Sequence, residues 1–217
     1  MPDRLRNIGA SVRQRLLNLA HARGQPMELL LTPYVLERLL HRLSLSPHRE
    51  RFVLKGAMLL ATWFDEPHRA TRDVDLLGFG DTAEDALLAT FREIMAVEVD
   101  DGVSFDLKGL RIEAIREEVE YGGSRLRTTA AIAGARIPIT VDIGFGDAVE
   151  PGVEDIDLPV LLDMPSPHLR AYPPETVIAE KFHAMVALGR ANSRMKDYYD
   201  VWKIGRASCR ERVCLAV

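Results

Sequence analysis

The sequence predicts a mixed α/β (α+β) domain whose mixed sheet is flanked by helices at both ends, and three observations carry this expectation. Apolar residues recur at helical spacing from Arg4 to Leu43. Segments such as "TRDVDLL" and "RIPITVDIGFGD" alternate apolar and polar residues as strands do. Helical patterns return in "PPETVIAEKFHAMVALG" and "SRMKDYYDVWK". With 217 residues, 47% of them hydrophobic, the chain can bury a core of its own.

The elements follow in order. Ile8, Val12, Leu16 and Ala20 lie four apart, and Thr32-Pro33 offers a cap and first-turn proline for a second helix through Leu36, Leu39, Leu40 and Leu43. "RFVLKGAMLLATWF" reads as a short strand, a break at Lys55-Gly56 and a helix. "AEDALLATFREIMAV" is an amphipathic helix. "VSFDLKGLRIEAIREE", "SRLRTTAAIAG" and "RIPITVDIGFGD" are strands joined by glycine-bearing turns. Periodicity fades from Pro151 to Pro167, which reads as a connecting loop. The expected organisation is a helical lead-in over 1–50, a core over 51–165 and a C-terminal helical part over 166–203. The tail from 204 to 217 holds both cysteines, Cys209 and Cys214, and is similar to translated adapter sequence. Native protein is therefore expected to end near Lys203, leaving no disulfide or thiolate metal site.

Composition narrows the function classes. The formal net charge is −4, so contact with nucleic acid requires a local basic patch. The apolar runs are too short to cross a bilayer and no signal-peptide pattern opens the chain, so a cytoplasmic protein without a membrane partner is expected.

The most informative stretch is "RATRDVDLLGFG". Asp73 and Asp75, two apart in a strand, point to the same face while Val74 and Leu76 face the core. Like charges held side by side are costly unless a proton is shared or a cation lies between them. Asp142, opposite in facing to Ile139, Val141 and Ile143, supplies a third strand-borne acid. Three such carboxylates suit magnesium bound against a triphosphate, and so phosphoryl or nucleotidyl transfer. Lys55-Gly56, ahead of a helix, offers backbone N–H groups to phosphate. Arg69, Arg72, Arg125, Arg127, Arg190 and Arg194 are candidates for local positive potential. The six histidines lack zinc-type spacing.

"FVLKGAMLL", "RATRDVDLLGFGD", "VDIGFGD", "YPPETVIAEKFHAMVALG" and "NSRMKDYYD", in this order, resemble the AbiEii/AbiGii toxin family of nucleotidyltransferases. That family is the type IV toxin-antitoxin group of the polymerase-β-like superfamily, and the resemblance runs from about Ser11 to Lys203. It implies a nucleotidyltransferase core, Mg2+ as cofactor, a nucleoside triphosphate donor, a cognate antitoxin encoded nearby, a role in growth inhibition or phage defence, and tRNA or another RNA as a plausible acceptor. Carried over by position, Gly56 matches the first motif's glycine, Asp73 and Asp75 the metal-binding pair, and Asp142 the third acid, aligning or deprotonating the acceptor. Lys181 and Lys196-Asp197 match the later lysine and Lys-Asp motifs. Expected catalytic residues are thus Asp73, Asp75, Asp142, Lys181 and Asp197, with Asp73, Asp75 and Asp142 on the metal and Lys55, Gly56, Arg72 and Lys196 on the nucleotide. Ala57 stands where the superfamily often has serine. Two other readings remain open at this point: a small-molecule nucleotidyltransferase of antibiotic-modifying type, and a nucleotide-binding module without turnover. By residue chemistry alone, Lys181 is an apolar-face lysine with a buried stem, and Lys196 and Asp200 form an exposed helix pair.

Overall fold

The computed structural model describes residues 7–64, 71–115, 122–189 and 195–214, with side chains through residue 206. Its elements confirm a mixed α/β architecture. Helices α1 (Ile8–Ala22) and α2 (Glu28–Leu45) lead into strand β1 (Phe52–Lys55), a 3-10 turn (Gly56–Leu59) and the short helix α3 (Leu60–Trp63). Strand β2 (Asp73–Gly78) and helix α4 (Glu84–Ala96) follow. Then come β3 (Ser104–Phe105), β4 (Arg111–Ile115), β5 (Gly123–Ile132), β6 (Ala135–Phe145), β7 (Glu154–Asp157) and β8 (His168–Ala171), and finally α5 (Pro174–Leu188) and α6 (Met195–Cys214). No described helix is long and apolar enough to cross a membrane.

One sheet runs in the order β3-β5-β6-β2-β1-β8-β7, with β4 also on β5. β2 pairs parallel with β6 and antiparallel with β1, while β8 joins β1 in parallel. The long β5-β6 hairpin turns at Ala133-Gly134, both with positive φ. Its two faces differ sharply. Leu126, Ala130, Ile132, Ile137, Ile139, Val141 and Ile143 are buried on one side, against the layer of α1, α2 and α4. Arg125, Arg127, Arg136, Thr140 and Asp142 lie on the other, open side.

Three expectations about elements need correction. Pro33 does not open α2. The helix starts a turn earlier, where Leu29 N–H donates to the Pro26 carbonyl and Leu30 N–H to that of Met27, and Pro33 lies inside it. The "VSFDLKGLRIEAIREE" strand is two short strands, because the Asp106 side chain accepts from Gly109 N–H and makes a turn between them. The stretch from Pro151 to Pro167 is not all loop: Glu154–Asp157 pairs with β8 at the sheet edge. The last helix runs from Met195 to Cys214, with Ile204 buried. On α5 and α6, Phe182, Val186, Met195 and Trp202 are exposed.

Helix α2 is enclosed on every side: each residue from Tyr34 to Leu43 is buried, including Glu37, Arg38, His41 and Arg42. Buried charges are tolerable only when paired and hydrogen-bonded. Arg42 grips both carboxylate oxygens of buried Asp101 and donates to the Val97 and Val103 carbonyls. Tyr34 O–H donates to the Asp101 carbonyl at 2.8 Å. Glu37 accepts from Leu161 N–H at 2.7 Å and Arg38 donates to the Pro165 carbonyl at 3.0 Å, so the helix also clamps the segment before β8.

Burial pushes the Glu37 carboxyl up to about 7, against the pull of Arg38 and of the Leu161 N–H. An acid whose folded pKa is raised holds its proton longer in the folded state, so its favourable contribution is complete below the unfolded value near 4.5 and lost as pH climbs through about 7. At roughly 1.4 kcal/mol per unit, Glu37→Gln should remove a loss of a few kcal/mol across that window. Denaturant melts of both proteins from acid to neutral pH check this: the variant should gain on the wild type as pH rises.

Candidate active site

The strand register explains why the acids of β2 and β6 meet. Asp75 lies directly across from Asp142 on one side and Lys55 on the other, and Asp142 lies across from Arg125. Directly paired residues share a face, so β1, β2, β6 and β5 present one row: Lys55, Asp75, Asp142, Arg125. The next row on that face is Asp73, Thr140, Arg127 and Arg111. All three expected carboxylates therefore occupy the open face, opposite the helical layer.

Their electrostatics follow from that arrangement. Burial, then the neighbouring Asp73 and Asp142 charges, push the Asp75 carboxyl up to about 6, while Lys55 and Lys196 pull it down. Asp73 accepts from the Thr71 hydroxyl at 2.8 Å. Asp142 is held by Arg125, whose Nε donates to Oδ1 at 2.7 Å and Nη2 to Oδ2 at 2.6 Å. Among the described residues, no three Asp, Glu, His or Cys side chains form a ready-made metal cage. The donor set nonetheless suits Mg2+. That ion binds through one or two carboxylates plus substrate phosphates rather than an all-protein cage, and Asp75 is an acid crowded by two others.

Gly56 lies hard against one of these carboxylates. Its φ is +73°, and a Cβ there would overlap the Asp75 carboxylate, lying 2.7 Å from its Cγ. Glycine lets the turn after β1 pass against that acid. The turn is 3-10 over Gly56–Leu59 before the four-residue α3, not a regular helix. Lys55 shares the face of Asp75, but its Nζ donates to Asp147 and Glu180, both at 2.6 Å. Burial works against the ammonium, yet Glu180 and Asp147 outweigh it and hold its pKa above the ordinary value. Tyr172 O–H also donates to Asp147, at 3.1 Å. Lys55 thus ties β1 to α5 and to the segment after β6.

The later motifs pair with each other. Lys181 on α5 donates to Asp197 at 3.0 Å and to Asp200 at 2.9 Å on α6, and both acids are buried. The exposed Lys196–Asp200 pair is therefore corrected: the acid turns inward to Lys181 while Lys196 is exposed. Lys196 still lies within electrostatic reach of Asp75, which brings the start of α6 toward the carboxylates. Arg72 is exposed next to β2. Arg69, Arg190 and Arg194 lie outside the described residues. Thr71, Asp147, Tyr172 and Glu180 were not singled out from sequence. Asp147, the last residue of "VDIGFGD", carried the clearest available signal.

Two substitutions probe this geometry. Gly56→Ala should displace the Asp75 carboxylate and cost roughly 1–3 kcal/mol, the usual cost of a non-glycine residue in a strained backbone region; thermal unfolding without metal measures it. Lys181→Met removes the cation shared by two buried acids. It should cost more, roughly 3–5 kcal/mol, with hydrogen exchange rising first in α5 and α6.

Comparison with known proteins agrees with this architecture. JHP933 from Helicobacter pylori superimposes with a TM-score of 0.54 at 17% identity, covering 81% of this chain. A second H. pylori protein, described as a nucleotidyltransferase, gives 0.51 at 18% identity over 78% of this chain. At such identities the likeness concerns the fold, and this chain spans 65% of the length of each. No curated protein matches the sequence. The family described as nucleotidyl transferase AbiEii toxin, type IV toxin-antitoxin system, matches residues 38–212, from within α2 through most of α6. The chain belongs to the AbiEii nucleotidyl transferase toxin family.

Proposed function

We propose that this chain is a magnesium-dependent nucleotidyltransferase that moves a nucleoside monophosphate from a nucleoside triphosphate to a hydroxyl of RNA, with tRNA the favoured acceptor. In this reading it is the toxin of a type IV toxin-antitoxin pair, restrained by an antitoxin encoded nearby and acting in the cytoplasm. The observation that carries the reading is the pair of cross-strand rows. Asp73, Asp75 and Asp142 share one open face, and Arg111, Arg125 and Arg127 continue it away from them, with Glu113 as one acid among the three arginines. An arginine-bearing face beside the carboxylates favours a polyanionic acceptor over a cationic antibiotic.

Asp73 and Asp75 would hold the metal, with Asp142 as third ligand beside the acceptor. When bound, Mg2+ neutralises charge on the triphosphate and lowers the pKa of the attacking hydroxyl. The chain's own groups supply position. Lys196, exposed at the start of α6 and facing the field of Asp75, neutralises phosphate oxygens. Lys181 and Asp197 act through α6: their ion pair fixes the helix that presents Lys196. Gly56 keeps the Asp75 carboxylate in place, and Lys55 holds the neighbouring turn through Asp147 and Glu180. The acceptor oxygen then attacks the α-phosphorus in line. One P–O bond forms as the bond to the β-phosphate bridge breaks, pyrophosphate leaves, and the acceptor proton passes to a carboxylate or to water.

The test incubates the protein with each α-labelled nucleoside triphosphate, Mg2+ and total cellular RNA, and follows label into RNA. Asp73→Asn and Asp75→Asn should each lower transfer by at least about a hundredfold, since an amide oxygen is a much weaker ligand for a hard cation. Metal-free stability should hold or rise, because each change relieves like-charge repulsion. Near-wild-type transfer by either variant would remove the metal site, and label entering only small molecules would remove the RNA acceptor.

A further inference from the structure

Asp142 sits beside Asp75 in register, yet both of its oxygens are filled by Arg125. The two side chains differ in solvent access: Asp142 is 18% exposed and Arg125 36%. The arginine therefore stands at the wet edge of the row, with room to leave. It also feels the charge of Asp73, one row away. A bidentate guanidinium satisfies a carboxylate much as a hard cation does, by placing positive charge on the same oxygens. The two cannot both hold them at full strength.

We infer that Arg125 is a latch on Asp142: in the metal-free chain it occupies the third carboxylate, and it yields that carboxylate when Mg2+ binds beside Asp73 and Asp75. This rests on the metal reading given above. The latch answers the repulsion among three acids on one face by satisfying one of them from β5. It also gives the arginine a second position. Once released, its fork remains on the carboxylate face, next to Arg127, where an incoming phosphate can take the place of Asp142. Metal and phosphate binding then support each other, because each draws one partner out of the same ion pair. Arg125 is a positioning residue in this scheme, acting through Asp142.

The test reads metal affinity directly, without nucleotide or turnover, by titrating Mn2+ and following its free electron-spin resonance signal. Arg125→Gln should tighten Mn2+ binding roughly three- to tenfold, the equivalent of a partly exposed ion pair of about 1 kcal/mol. Arg125→Lys keeps the charge but loses the fork, and should tighten binding by a smaller factor. In an Asp142→Asn background both changes should have no effect. A general field effect of one positive charge predicts the opposite pattern: no gain for lysine, and a gain for glutamine that survives Asp142→Asn. Either of those results, or unchanged affinity in both single variants, overturns the latch. Should Arg125→Gln fail to fold in a thermal melt, the lysine variant carries the comparison alone. A wild-type chain that binds no Mn2+ overturns the metal reading itself, and the latch with it.

Discussion

The register of four strands is the constraint on which the site depends. Lys55, Asp75, Asp142 and Arg125 form one row across β1, β2, β6 and β5, cations outside and carboxylates inside. A slip of one residue in any of these pairings would turn an acid into the apolar layer beneath. That layer prevents the slip, since Val74, Leu76, Val141 and Ile143 alternate with the acids and are buried. The apolar face thus sets the geometry of the polar one.

Such a row carries a cost in the folded protein that its surroundings limit without removing. Burial and the neighbouring Asp73 and Asp142 leave the Asp75 carboxyl pushed up to about 6. Of the flanking cations, Lys55 is tied outside the row to Asp147 and Glu180, while Arg125 closes on Asp142 within it. Groups held under such tension are typical of sites kept for chemistry rather than for stability. The rest of the fold uses charge differently. Around α2, Arg42 and Asp101 are fully enclosed and satisfied, so they fasten helix to loop with no vacancy for a ligand. Lys181 with Asp197 and Asp200 does the same between α5 and α6.

Much of this was legible in the chain itself. The strand containing Asp73 and Asp75, the outward facing of Asp142, and the helices over Glu84–Ala96 and Pro174–Leu188 all follow from periodicity, because a face buried in an apolar layer imposes its period on the sequence. Pro33 misled because a proline near a helix start marks the first turn in most sequences, whereas here the helix begins one turn earlier. β7 escaped notice because four residues rich in acid at a sheet edge carry little periodic signal.

The sequence by itself determined the elements, the acids and the side of the sheet on which each acid stands, since alternation within a strand is a local property of the backbone. Only the tertiary structure decided which charge meets which. Lys181 turned out to bind Asp197 and Asp200, Lys55 to bind Asp147 and Glu180, and Gly56 to serve the Asp75 carboxylate. These partners lie between 16 and 125 residues apart in the chain, Gly56 and Asp75 among them. Charge carries no period along a chain, and its partner is whatever the packing of apolar faces brings within reach.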